Sequence, residues 1–175
     1  MSDLISVKIT PSWNDVEKQI TEEINWLRNS ISLFHAEEKY APINCKDCLL
    51  RKIAILIVSG KVEANNIEKA KELKSFWLEQ NDQNLKKVYH GKDWHNETMG
   101  KIENHFLQQG FDVLREPTLQ WGRADLGVYK KEEPDLLIEI GTTSLFKLWL
   151  NLAKMQKFIY LIVPNDEELL EFICH

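Results

Sequence analysis

Two acids sit inside apolar runs that a short turn separates. Asp125 lies in Gly122-Arg123-Ala124-Asp125-Leu126-Gly127-Val128-Tyr129, and Glu139 in Asp135-Leu136-Leu137-Ile138-Glu139-Ile140-Gly141. The two runs read as strands of one hairpin. A turn centred on Glu132 sets Asp125 opposite Glu139, with Cβ atoms roughly 5 Å apart on one face of the sheet. Side chains alternate along a strand, so Gly127, Leu137 and Gly141 share that face, while Leu126, Val128, Ile138 and Ile140 point the other way. Carboxylates this close repel unless a proton or a cation lies between them. A hard divalent metal with oxygen ligands meets that need.

The surrounding chain must hold this pair. After the pair, Thr143 or Ser144 can cap a helix carrying Leu145, Leu148, Trp149, Leu152 and Met155. Phe158–Val163 is a continuous apolar strand, buried on both faces, and Asp166–Ile173 reads as a last short helix. Before the pair, Asn96–Gln109 reads as an amphipathic helix with Met99, Ile102, Phe106 and Leu107 inward, stopped by Gly110. Phe111–Glu116 alternates as a strand. The order is α-β-β-β-α-β-α, and the helical crossover makes the last strand a parallel neighbour in a mixed sheet.

Residues 12–80 read as helical. Ser12 caps a helix with Trp13, Val16, Ile20, Ile24 and Leu27 on one face, which fades near Pro42. A second helix spans about Cys45–Ser59 with Gly60 as its stop, and a third spans about Val62–Glu79. The polar string Gln80–Asn84 is a linker, so residues 1–84 form a helical N-terminal region and residues 85–175 an α/β domain.

The 175 residues suffice for one good core, and the chain has no apolar run of membrane-spanning length and no signal-peptide pattern. Three cysteines, an odd count, point to a reducing compartment and a cytoplasmic protein. A net charge of −5 counts against extensive phosphate contacts, although Lys86, Lys87 and Lys92, then Lys130 and Lys131, form local basic clusters. Cys45-Lys46-Asp47-Cys48 has the spacing of half a zinc site, but no second such pair exists, so buried free cysteines at a packing interface are the expectation.

With its acids, the stretch from about residue 90 to 164 resembles the PD-(D/E)XK nuclease superfamily, the restriction-endonuclease-like fold, and within it archaeal Holliday-junction resolvases. The pieces that carry the resemblance are a helix bearing Glu97, then Gly110-Phe111-Asp112-Val113, Gly122-Arg123-Ala124-Asp125 and Ile138-Glu139-Ile140-Gly141. The resemblance implies a mixed sheet flanked by helices, and Mg²⁺ or Mn²⁺ held by Asp125 and Glu139. Glu97, or Glu103 further along the same helix, would join them, with the Ile140 carbonyl as a further ligand. The implied activity is metal-dependent hydrolysis of phosphodiester bonds, with DNA the expected substrate and Arg123 a contact to its backbone. The family's lysine falls at Gly141, and some members carry it on the following helix, where Lys147 stands. The alternative is a catalytically impaired relative that binds or assembles. His95 reads either as a polar residue near the active face or as a capping or surface histidine. A homodimer would suit an enzyme that treats two strands.

Overall fold

A computed structural model describes residues 11–29, 34–35, 46–67, 92–164 and 169–175. Ser12 and Asp15 start helix α1 (Trp13–Asn29) reciprocally: the Asp15 N–H donates to Ser12 Oγ at 3.3 Å, and the Ser12 N–H to Asp15 Oδ2 at 3.1 Å. Ile20 and Leu27 are buried on its inner face, whereas Trp13, expected on that face, is exposed. Helix α2 (Lys46–Val58) buries Leu49, Leu50, Ile53 and Ala54. It ends in a Schellman cap, with Gly60 at φ +75°, the Gly60 N–H on the Ile57 carbonyl (2.9 Å) and the Lys61 N–H on the Leu56 carbonyl (3.1 Å).

That cap turns the chain into a strand. Residues 62–67 are not the start of a third helix but β2 (Val62–Ile67), paired antiparallel with β8 (Leu169–Cys174), Val62 opposite Cys174. Asn65 and Asn66 are poor helix formers, and the edge of β8 supplies a full ladder of partners. The rest of that expected helix, and the linker after it, lie outside the described residues. The expected last helix is also corrected, because residues 169–174 form β8. Lying between β2 and β7 (Phe158–Val163), this strand buries Leu169, Leu170, Phe172 and Cys174, so its near-continuous apolar run is a two-faced strand pattern.

The remaining elements follow the expected order. They are α3 (Lys92–Gln108), β3 (Asp112–Arg115), β4 (Leu126–Tyr129), β5 (Asp135–Ile140) and α4 (Leu145–Lys154). Six strands make one mixed sheet in the order β2-β8-β7-β5-β4-β3, with β5 and β7 its parallel pair and every other pairing antiparallel. The β4–β5 register is the expected one: Leu126 faces Ile138, Gly127 faces Leu137, and Glu132 turns the hairpin at φ +71°. Phe34–His35 (β1) runs parallel to Thr143–Ser144 (β6) just before α4.

Each face of the sheet has its own core. On one, α3 packs Met99 and Ile102 against Leu126, Val128, Ile138, Ile140, Leu161 and Val163. Leu107, expected inward there, is exposed. On the other face, α1, α2 and α4 pack Leu27, Ile53, Leu148 and Leu152 against Leu137, Phe158, Tyr160 and Phe172. The described part of residues 1–84 therefore shares one core with the sheet and also lends it a strand. Among the described residues, no helix is long and apolar enough to cross a membrane.

Candidate functional site

The site forms where β4 begins and β5 ends. The Asp125 N–H donates to the Ile138 carbonyl at 3.0 Å, continuing the ladder by one residue and fixing Asp125 beside Glu139. Its carboxylate is held at two points. Oδ2 accepts the Ile140 N–H at 2.7 Å, and Oδ1 lies 3.2 Å from His95 Nε2 in the first turn of α3. Each carboxylate oxygen carries two lone pairs, so both retain acceptor capacity.

Glu139 is 5% exposed, on the face covered by α4. The Tyr160 hydroxyl, on the parallel neighbour β7, donates to Glu139 Oε1 at 2.7 Å, and the Lys147 ammonium pairs with the same oxygen. Burial pushes the Glu139 carboxyl above its ordinary range. Lys147 and Tyr160 pull against that rise, and the nearby Asp125 charge adds to it. Burial and the Glu139 charge hold the Tyr160 phenol protonated, so it is the donor in this bond. The Thr143 hydroxyl comes near enough to the phenol to offset part of that effect. It is buried, with no well-formed hydrogen bond among the described residues.

Lys147 reaches the pair because of how α4 starts. Ser144 caps the helix, its Oγ accepting the Lys147 N–H at 3.4 Å, which sets Lys147 in the first turn directly above the end of β5. The side chain runs past Gly122, and the ammonium also donates to the Arg123 carbonyl. Gly141 has φ +90°, a conformation L side chains avoid at a cost of about 1–2 kcal/mol. A lysine two residues after Glu139 would have to bear that strain.

Other expected participants lie elsewhere. Glu97 is exposed and pairs with Lys101 on its own helix at 2.6 Å, and Glu103 is taken by Arg115. His95 is the α3 residue that meets Asp125. The Arg123 side chain is exposed and pairs with Glu116 at 3.2 Å. Ile140 takes part through its N–H. Among the described residues, no three His, Cys, Asp or Glu side chains gather as a metal-binding group. The donor chemistry nonetheless suits Mg²⁺ or Mn²⁺: two neighbouring carboxylates of hard oxygen, when Mg²⁺ commonly uses one or two carboxylates and completes its shell with water and phosphate. Cys48 is exposed in the first turn of α2 rather than at a packing interface, and Cys45 lies outside the described residues. Cys174 is buried, which pushes its thiol up to about 12.

Two residues escaped the sequence reading. Tyr160 was masked by an apolar strand, where the lone hydroxyl among Ile, Leu and Val was the available signal. Asn151 is fully buried on the inner face of α4 between Leu148 and Leu152. An amide at a core position of a helix must find partners, and that was its signal.

Comparison with protein-family models, with curated proteins and with solved structures gives no match.

Proposed function

We propose that the chain is a divalent-metal-dependent nuclease of the PD-(D/E)XK kind, acting on DNA. The observation that carries this reading is the Lys147 ammonium on the carboxylate of Glu139, within the electrostatic reach of Asp125. Two acids and a lysine thus share one strand end, although the lysine comes from a helix. The helix, three-strand meander, crossover helix and parallel strand of residues 92–163 also follow the order that the superfamily resemblance implies.

In this reading Asp125 and Glu139 would hold Mg²⁺ or Mn²⁺, which supplies Lewis acidity at the scissile phosphate and a more acidic water. The Ile140 N–H and His95 keep the Asp125 carboxylate aimed, and Tyr160 does so for Glu139. Lys147 contributes positive charge where the phosphorane-like anion develops. It also lets Glu139 ionise despite its burial.

The test is cleavage of labelled linear duplex, single strand, flap and four-way junction with Mg²⁺ or Mn²⁺, with Asp125→Ala, Glu139→Ala and Lys147→Ala run in parallel. Metal-dependent cleavage by the wild type, reduced at least about 100-fold in each variant, is the expected result. A second reading is a binding or assembly protein, favoured by the absence of a third acidic or histidine ligand among the described residues. A folded wild type that binds Mn²⁺ in calorimetry and cleaves nothing would select it.

A further inference from the structure

The segment between β3 and β4 is not a slack loop. The Glu116 N–H donates to the Asp125 carbonyl at 3.0 Å, and the Ala124 N–H to the Pro117 carbonyl at 3.1 Å. Thr118 then bridges Arg123 antiparallel, and the Leu119 N–H donates to the Gly122 carbonyl at 3.0 Å. The hairpin is thus extended to a tight tip at Gln120-Trp121.

Asn151 clamps that tip from beneath. Its Oδ1 accepts the Trp121 N–H at 2.9 Å, and its Nδ2 donates to the Trp121 carbonyl at 3.0 Å and to the Lys147 carbonyl at 3.0 Å. A wholly buried amide on α4 therefore spends its hydrogen bonds on the peptide of Trp121 and the helical turn of Lys147. Phe146 meets the indole at 5.5 Å between centroids and 84° between planes, which fixes its tilt. Trp121 nevertheless stays 45% exposed as a residue.

A lone exposed tryptophan is ordinary, as Trp13 illustrates. Trp121 differs in its position and its rigidity. It is held at backbone and ring, two residues from Arg123 and over the helix whose first turn carries Lys147. Lys147 covers Gly122, the residue between them, and its ammonium reaches the Arg123 carbonyl. A flat apolar surface fixed two residues from Arg123, against the helix that carries Lys147, suits a base joined to a phosphate. Arg123 is exposed and pairs with the exposed Glu116, whereas Lys147 is paired with the buried Glu139.

We infer that Trp121 is a stacking platform for an unpaired nucleobase, adjacent to the strand whose phosphate enters the Asp125–Glu139–Lys147 site. The inference rests on the nucleic-acid reading above and adds a preference for strands with a base free to leave its pair. Bases within a duplex keep their faces stacked on each other, so duplex gains nothing from the ring. Stacking tolerates any base, so the preference is for strandedness rather than sequence.

The test measures anisotropy of a fluorescein-labelled oligothymidine and of a duplex of equal length, with Ca²⁺ replacing Mg²⁺. The full chain is compared with Trp121→Phe, Trp121→Leu and Trp121→Ala. Trp121→Ala is expected to bind the single strand about tenfold more weakly, with Trp121→Phe retaining most of the affinity and the duplex affinity unchanged. If Trp121→Ala fails to fold, the pair Phe and Leu decides, because both are apolar and one has a π face. Equal single-strand binding by wild type and Trp121→Leu would overturn the inference, as would equal losses on both nucleic acids. Mn²⁺ calorimetry on the same preparations separates the two readings. A wild type that binds nucleic acid through Trp121 without binding Mn²⁺ leaves the platform standing and removes the nuclease. One that binds no nucleic acid overturns both.

Discussion

Replacing Lys147 with methionine keeps the reach of the side chain and removes its charge, leaving Glu139 buried with the Tyr160 hydroxyl against it. Breaking a buried pair on one side strands the other charge, so Lys147→Met should cost about 3 kcal/mol at about pH 8. The Glu139 carboxyl is already raised above its ordinary value of 4.5. A raised acid binds its proton more tightly in the folded state, so its stability contribution is full below the unfolded value. It is lost as pH rises through the folded value. Without Lys147 the folded value climbs further, so the variant's penalty should shrink steadily as pH falls towards about 5. Urea unfolding in chelator across that range checks this. A pH-independent penalty would mean that Lys147 acts through packing rather than through Glu139.

At the scale of elements, the sheet was legible where a pattern has one physical cause. A short turn and strict alternation determine the register of β4 and β5, which is why Asp125 and Glu139 were placed together from sequence. The β5–α4–β7 crossover was legible because a continuous apolar strand after a capped helix has few other places to go. What stayed hidden depended on tertiary context. Val62–Ile67 is a strand because β8 has an edge to offer, and nothing within those six residues announces that edge. The start of α3 was similarly obscured. The helix begins at Lys92 rather than at Asn96, so His95 falls in its first turn at the end of the sheet. Asn151 gives the element-level prediction. Asn151→Ala should cost about 2 kcal/mol, leaving the Trp121 N–H and carbonyl without their partner. Hydrogen exchange at the Trp121 amide should speed up while the amides of β4 and β5 keep their protection. Unchanged exchange at Trp121 would show that the tip does not depend on the clamp.

For the molecule as a whole, the division at residue 84 read from sequence has a direct test. The helices α1 and α2 cover Phe158, Tyr160 and Phe172 together with α4. A fragment beginning at residue 85 would uncover that face and lose β2 from the sheet. It should lack a cooperative thermal transition and bind an apolar dye, whereas the full chain should melt in one step. Sharp melting of the fragment would restore the boundary.

The pairing of β2 with β8 also imposes a timetable on the chain as it leaves the ribosome. Val62 is made early and its partner Cys174 late, so the first helices emerge long before the strand that completes their sheet exists. Until β5, α4 and β7 are made, α1 and α2 have each other, through contacts such as Arg51–Glu17 at 2.8 Å and Arg28–Asp47 at 3.0 Å. Closure between distant parts of a chain is the slow step of such topologies. The nascent protein therefore spends most of its synthesis with an apolar face waiting, and a chaperone would meet it there, before the two acids have found each other.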